Sequence, residues 1–186
     1  MNTILQQELK KILNGRFSQS ESTRLNYSRG EDTYDPILSK AVVFPETNEE
    51  VSKILKLCNE HKVPVVPFGT GTSLEGNVVG NDKGITISLE KMNKILTVNT
   101  QDFDCRVQAC VTREQLNDYL REDGVFFPID PGANAAIGGM ASTSASGTMA
   151  GKYGTMKTVI TGLTVVLPNG EIMNTGGRTK KNFCWI

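Results

Sequence analysis

The sequence from residue 132 to residue 154 is GANAAIGGMASTSASGTMAGKYG, and glycine, alanine, serine and threonine make up all but six of its residues. Such side chains bury little apolar surface, so the stretch cannot build a core of its own. A flexible linker is one interpretation, since glycine- and serine-rich chains are usually mobile. Against it, strongly apolar segments flank the stretch, and residues 132–151 carry no charge. We therefore expect it to pack against a flat, rigid ligand that fills the room left by small side chains.

A second glycine-rich segment, PFGTGTSLEG at residues 67–76, follows the apolar run VPVV. Its glycines let backbone N–H groups converge on an anion, and its hydroxyl groups add donors. The segment has no lysine, which excludes a P-loop, and Leu74 stands where a Rossmann fingerprint needs its third glycine. From the residues alone, a nest for a phosphate or pyrophosphate and an ordinary turn are equally acceptable.

The rest of the chain alternates between helical and extended patterns. Apolar, β-branched runs predict strands at residues 41–44, 63–66, 84–89, 94–99 and 105–110. Amphipathic spacing predicts three helices, one over residues 4–13 and two that begin after the capping residues Thr47 and Thr112. Asn169-Gly170 predicts a hairpin turn, and residues 15–40 are expected to form an irregular arm. The order indicates an α+β fold with two lobes that meet near residues 98–104.

Composition excludes several classes of function. Twenty Lys and Arg balance twenty Asp and Glu, which disfavours a nucleic-acid or anionic-membrane partner. The four cysteines lack C-x-x-C spacing and accompany one histidine, His61, so no metal site and no disulfide framework are expected. The N-terminal segment is too charged for a signal peptide and too poor in apolar residues for a transmembrane segment. A cytoplasmic chain is the expectation.

Three segments together resemble the PCMH-type FAD-binding domain of the FAD-linked oxidase family. They are AVVFPETNEEVSKIL at 41–55, VPVVPFGTGTSLEGN at 63–77, and the run from FFPIDPG at 126–132 to GGRTKKN at 176–182. Within that family, the resemblance is greatest to the branch of D-lactate dehydrogenases (cytochrome) and glycolate oxidase FAD subunits. It covers about residues 30–182 and implies two α/β lobes with FAD between them. We expect an N-terminal helix and arm over residues 1–36, a first lobe over 37–98 and a second, incomplete lobe over 99–186.

The resemblance also implies which residues bind FAD. The first segment would wrap the pyrophosphate with backbone amides through Pro67, Phe68, Gly69, Thr70, Gly71, Thr72, Ser73 and Leu74. The second would lie along the isoalloxazine, ribityl and phosphate groups through Asp130, Pro131, Ile137, Gly138, Gly139, Ala141, Thr143, Ser146, Gly147, Tyr153 and Gly154. Neither segment contains a histidine, which implies non-covalent FAD. No catalytic residue is identified, because His61 lies outside the motifs and Glu75 and Asp130 are expected to be structural or flavin-contacting.

The implied parent reaction is oxidation of a D-2-hydroxy acid, D-lactate or glycolate, by hydride transfer to FAD. Electrons would pass to cytochrome c, a quinone or an electron-transfer flavoprotein, in an enzyme that is cytoplasmic or peripheral to a membrane. In the family, a segment that completes the FAD pocket and a substrate domain follow GGRTKKN, whereas this sequence ends in NFCWI. We therefore expect a truncated FAD-binding portion, produced by natural truncation or a frameshift, without its substrate domain.

Such a chain is expected to be inactive alone, to bind FAD weakly or not at all, and to be open to self-association. The alternative is a non-catalytic flavin-binding or scaffold subunit that works with a separate substrate-domain polypeptide. A nicotinamide-dependent reductase is disfavoured by the failed Rossmann spacing.

Overall fold

The computed structural model describes residues 3–178, which form two compact units. The first contains the residues up to Met92 together with Val166–Ile172, and the second contains Asn93–Val165 together with the residues from Met173 onward. The expectation of a truncation rests on the ending NFCWI, which lies outside the described residues.

Seven helices and eight strands are formed by the described residues. The helices are α1 (Thr3–Leu13), α2 (Glu21–Asn26), α3 (Asn48–Glu60), α4 (Arg113–Leu120), α5 (Ile137–Ser142), α6 (Ala150–Tyr153) and α7 (Met156–Val159). The strands are β1 (Phe17–Ser18), β2 (Val42–Val43), β3 (Val65–Phe68), β4 (Ile85–Ser88), β5 (Ile95–Asn99), β6 (Asp104–Val107), β7 (Gly162–Val166) and β8 (Ile172–Gly176). Within this part of the chain, no helix is long and apolar enough to cross a membrane.

The first unit is built on a four-stranded sheet in the order β1-β2-β4-β3. Strands β2, β4 and β3 run parallel, and β1 joins the edge antiparallel to β2. All four residues of β4 are buried, as expected for a central parallel strand. Helix α1 contributes Leu5, Leu9 and Leu13 to the core, and α3 contributes Ile54 and Cys58. The core thus fixes the end of β3, from which the first glycine-rich segment begins.

Helix α3 begins as predicted, but the side-chain hydrogen bonds of its first turn differ from those of a capping box. The Thr47 hydroxyl oxygen accepts the Glu50 N–H at 3.2 Å. The Glu50 carboxylate does not return to Thr47; it accepts the Glu46 N–H at 2.8 Å and pairs with Arg16 at 2.5 Å. Hydrogen bonds from the Arg16 guanidinium and the Glu46 N–H lower the pKa of Glu50.

The prediction of an irregular arm at residues 15–40 is wrong over part of its length. The segment contains β1, which pairs with β2, and α2, whose N-terminus is capped by Ser20. It also contains two fully or almost fully buried serines, Ser28 and Ser39. Short polar elements of this kind leave no apolar periodicity in the sequence, because hydrogen bonds rather than an apolar stripe attach them to the sheet.

The second unit combines the antiparallel hairpin β5–β6 with α4. Thr112 caps α4 by accepting the Gln115 N–H at 3.2 Å, as predicted. Leu116 and Leu120 of α4 are buried, whereas Tyr119 is 60% exposed. A second cluster joins Ile129, Met140 and Met156.

The segment at residues 132–154, for which a flexible linker was one interpretation, is partly helical. It contains α5 and α6, and α7 follows directly. Met140, the buried residue of α5, lies in an apolar cluster that Ala141 and Ala145 also contact. The predicted hairpin is confirmed, since β7 and β8 flank Asn169-Gly170 and Gly170 has a φ of +84°.

Candidate functional site

The first glycine-rich segment leaves a run of backbone donors without partners. The N–H groups of Gly71, Thr72, Ser73 and Leu74 make no hydrogen bond to another residue between 3 and 178. Gly71 and Gly76 have φ values of +75° and +71°, which a residue with a side chain rarely adopts. Successive unpaired N–H groups beside a left-handed glycine are typical of an anion-binding nest.

The side chains of this segment contribute hydroxyl groups. The hydroxyl oxygens of Thr70 and Thr72 lie 3.4 Å apart. The Ser73 hydroxyl accepts from the Asn77 side-chain amide at 3.0 Å, and Leu74 is 68% exposed. The backbone of Gly69 and the exposed ring of Pro67 complete the predicted set. The segment therefore combines hydroxyl groups with unpaired amides and contains no acidic side chain before Glu75.

Phe68 supports the segment from inside the fold. Its side chain is only 7% exposed, and its ring lies edge-on to Tyr27 with centroids 5.0 Å apart. A Cβ added to Gly71 would lie 2.9 Å from the tip of the Phe68 ring. The ring is therefore occupied by packing, and the Phe68 carbonyl is occupied as well, because it accepts the Leu89 N–H at 2.9 Å.

In the second unit, the Asp130 carboxylate joins residue 130 to residues 148 and 149 by hydrogen bonds. One oxygen accepts the Thr148 hydroxyl at 2.5 Å, and the other accepts the Met149 N–H at 3.2 Å. These two hydrogen bonds, the one from Thr148 first, lower the pKa of Asp130. Position 147, next to Thr148, requires glycine, because an added Cβ would overlap both the carboxylate and the backbone carbonyl of Asp130. Asp130 thus has a structural role, next to Pro131.

Helix α5 presents two adjacent glycines in different surroundings. An added Cβ at Gly138 would lie 2.8 Å from the Ala109 side chain, whereas at Gly139 it would meet nothing within 4 Å. The N–H groups of Ile137 and Gly138 are already engaged by the Val111 and Ala109 carbonyls, each at 2.8 Å. Gly138 therefore serves close packing, and Gly139 is the one open to an approaching molecule.

The remaining predicted residues lie along α5, α6 and the connection between them. Ala141 packs on the cluster around Met140, and the Thr143 hydroxyl donates to the Gly139 carbonyl at 3.2 Å. Tyr153 stacks edge-on against Phe126 with centroids 5.5 Å apart. Gly154 combines φ +82° with ψ −160°, a conformation open essentially to glycine alone. Ser146 is exposed.

Two residues that hold this region were not predicted as part of a site. Ala109 and Val111 precede α4, and their carbonyls fix the first turn of α5. Nothing in the sequence QACVT identifies this role, because it depends on backbone atoms that any residue would supply.

The family follows from comparison with known proteins. A family model described as an FAD binding domain matches residues 39–176. The chain belongs to this FAD-binding domain family. Within the described residues, no group of three or more His, Cys, Asp and Glu side chains could hold a metal ion.

Curated relatives of the FAD-binding domain include flavoenzyme sequences from distant organisms. The chain is 44% identical over 164 residues to the probable mitochondrial D-lactate dehydrogenase of Danio rerio, covering 88% of the chain and 33% of the relative. It is 40% identical to the mitochondrial D-lactate dehydrogenase (cytochrome) of Arabidopsis thaliana, covering 94% and 31%. It is 34% identical to glycolate oxidase subunit GlcD of Bacillus subtilis, covering 89% and 36%. The chain therefore spans about a third of the length of these relatives.

Solved structures confirm the fold. An alkyldihydroxyacetonephosphate synthase matches with a TM-score of 0.86 at 21% identity, covering 98% of the chain and 36% of that protein. A p-cresol methylhydroxylase structure matches with a TM-score of 0.73 at 24% identity, covering 93% and 35%. The predicted α+β, PCMH-type fold is thus confirmed.

The described residues fit FAD in several respects. The N–H groups of residues 71–74, which have no partner among residues 3–178, suit a pyrophosphate, and the open face at Gly139 suits close approach of a ring or ribityl chain. Residues 132–151 add no charge that would repel or misdirect the cofactor.

Proposed function

We propose that this chain is the FAD-binding portion of a flavin-dependent dehydrogenase or oxidase that acts on a D-2-hydroxy acid such as D-lactate or glycolate. The observation that carries the proposal is the run of unpaired N–H groups at residues 71–74 in a chain of the FAD-binding domain family. The names of the relatives, D-lactate dehydrogenase and glycolate oxidase subunit, supply the substrate class.

The first segment binds the FAD pyrophosphate through its backbone. Four N–H groups with no partner among residues 3–178 would donate to phosphate oxygens, and the hydroxyl of Thr72 would add a further donor. Glycine at position 71 keeps a Cβ out of the space already filled by the Phe68 ring. Donation by backbone groups needs no lysine or arginine, which agrees with their absence from residues 67–76.

The second segment contacts the isoalloxazine and ribityl portion. Gly139 allows close approach, and the exposed hydroxyl of Ser146 can donate to ribityl oxygens. The group held there would supply the redox chemistry, namely uptake of a hydride from the hydroxy acid. Asp130 does not act as the general base, because two hydrogen bonds stabilise its ionised form and make it a weak base.

FAD is bound non-covalently in this proposal. His61, the one histidine of the sequence, begins the turn that follows α3 and lies outside both segments. The electron acceptor is cytochrome c, a quinone or an electron-transfer flavoprotein, and no nucleic acid takes part. We place the protein in the cytoplasm; the Danio and Arabidopsis relatives are named as mitochondrial.

A chimera tests the function. The Archaeoglobus fulgidus D-lactate dehydrogenase is 46% identical to this chain over 145 residues, which cover 32% of that relative. Replacing that third with the matching residues of this chain should give a flavoprotein that reduces a dye with D-lactate or glycolate. Residues 1–186 alone should give no dye reduction. A folded, flavin-free chimera would contradict the proposal.

A second candidate is a non-catalytic flavin-binding or scaffold subunit. It is favoured by the name of the Bacillus relative, which is a subunit of glycolate oxidase. A chimera that binds FAD yet reduces no dye with either hydroxy acid, while the unmodified Archaeoglobus enzyme does, would support this candidate.

A further inference from the structure

A short piece of the N-terminal arm lies across the first glycine-rich segment, within the first unit. We call residues 30–34 the strap. Its two flanks are fixed by buried serines: the Ser28 carbonyl accepts the Gly80 N–H at 3.1 Å, and the Ser39 hydroxyl is bonded to Thr86 at 2.8 Å. The strap is therefore held at both ends by contacts that do not involve the segment's N–H groups.

The strap contacts the first glycine-rich segment through the backbone of Gly30 and Glu31 and through the ring of Tyr34. The Glu31 N–H donates to the Gly71 carbonyl at 3.0 Å. Gly30 approaches so closely that an added Cβ would lie 2.7 Å from the Ser73 carbonyl oxygen and 2.9 Å from that of Gly71. The Tyr34 ring covers Gly76, where an added Cβ would lie 2.8 Å from the ring. Both ends of residues 71–76 are thus in contact with the strap.

Asp32 sets the shape of the strap. One carboxylate oxygen accepts the Gly30 N–H at 3.2 Å, and the other accepts the Tyr34 N–H at 3.1 Å. An aspartate that bonds to nearby backbone in this way forms a defined turn. The turn fixes the spacing between Gly30, which meets Gly71, and Tyr34, which meets Gly76.

We propose that the strap is a positioning element for FAD, which holds residues 71–76 in the conformation that leaves the N–H groups of residues 71–74 free to donate. The inference rests on the proposed function, in that FAD is the anion bound there. The N–H groups of residues 71–74, which have no partner among the described residues, do not themselves hold the loop in one conformation, and fixing the loop in advance reduces the entropy lost on binding. Tyr34 and Asp32 act through the segment and need not touch the cofactor.

Tyr34 provides the test, because a matched control exists. Tyr34 is 58% exposed and Tyr119, on α4 in the second unit, is 60% exposed. The variants are Tyr34→Ala, Tyr34→Phe, Gly30→Ala and Tyr119→Ala. Each is measured by hydrogen exchange of the Val79 N–H, which is bonded to the Gly76 carbonyl, and by FAD titration followed by amide NMR shifts.

Tyr34→Ala and Gly30→Ala should each raise Val79 exchange and the half-saturating FAD concentration by about tenfold, with exchange inside α3 unchanged. Tyr34→Phe keeps the ring and should match the unmodified chain, as should Tyr119→Ala. Unchanged exchange in Tyr34→Ala and Gly30→Ala would overturn the inference, as would faster exchange with unchanged FAD affinity. If the unmodified chain binds no FAD, the titration moves to the Archaeoglobus chimera, whose failure to bind flavin would overturn the proposed function, and the exchange data alone decide whether the strap holds the segment.

Discussion

The glycines of the second segment differ in what they do, although the sequence presents them alike. Gly147 is needed by the Asp130 carboxylate and Gly138 by the Ala109 side chain, while Gly139 has open space where a side chain would be. Packing therefore accounts for Gly138 and Gly147. Gly139 has no such packing reason to be glycine, and we propose that it allows a ligand to approach closely.

Substituting two of these glycines separates the two roles. Gly147→Ala should destabilise the second unit by about 1–3 kcal/mol, because the new methyl group overlaps Asp130. Gly139→Ala should leave stability unchanged or raise it by up to about 1 kcal/mol, since alanine favours the helix, yet weaken FAD binding. Urea unfolding and FAD titration measure the two effects. Equal losses of stability, or undiminished FAD affinity in Gly139→Ala, would contradict this division of roles.

At the level of helices and strands, motifs with a local mechanism were predictable from the sequence. Thr47 and Thr112 cap α3 and α4, and Asn169-Gly170 turns between β7 and β8. Each depends on residues within a few positions of one another, so the local sequence contains the whole signal. The two glycine-rich segments were recognisable for the same reason, as continuous runs of small residues.

Elements held by distant partners were not predictable. Helix α5 exists because the carbonyls of Ala109 and Val111 receive its first N–H groups and Met140 enters a core cluster. Phe68 lies in a predicted FAD-binding motif, yet its ring packs edge-on against Tyr27, 41 positions earlier in the chain. Composition alone cannot show such contacts, because the partner residues carry no mark of their role.

The hydrogen bonds of Glu50 in the first turn of α3 predict how the free energy of unfolding depends on pH. Since hydrogen bonds from Arg16 and the Glu46 N–H lower the pKa of Glu50, its ionised form contributes stability above its ordinary pKa of 4.5. That contribution is lost as the pH falls through the lowered value. Glu50→Gln should therefore cost about 1–2 kcal/mol at pH 7 and almost nothing well below pH 4.

The control for this experiment is Glu49→Gln. Glu49 precedes Glu50 on α3, is exposed, and forms no ion pair or side-chain hydrogen bond with the part of the chain that the structure describes. Its substitution should change the free energy of unfolding little at any pH. A cost of Glu50→Gln that stays constant from pH 7 to pH 3 would show that the Arg16 pair does not contribute as argued.

For the molecule as a whole, the two units each carry one glycine-rich segment, and a family model spans both. About a third of the length of the relatives is represented here, and that third contains the residues proposed to bind FAD.

Non-covalent attachment predicts complete release of the flavin on denaturation. Acid precipitation of the FAD-loaded chain, or of the chimera, should leave all flavin absorbance in the supernatant and a colourless pellet. Flavin that remains with the precipitated polypeptide after washing would contradict non-covalent binding.

Titration of the isotope-labelled chain with FAD, followed through its backbone amide NMR shifts, addresses FAD binding by the two segments themselves. We predict weak, saturable shifts that are largest at Gly71–Leu74 and around Gly139. ADP should reproduce the shifts at residues 71–74, and riboflavin, which lacks the pyrophosphate, should not. The absence of saturable shifts in either segment, or shifts concentrated elsewhere in the chain, would contradict FAD binding by these residues.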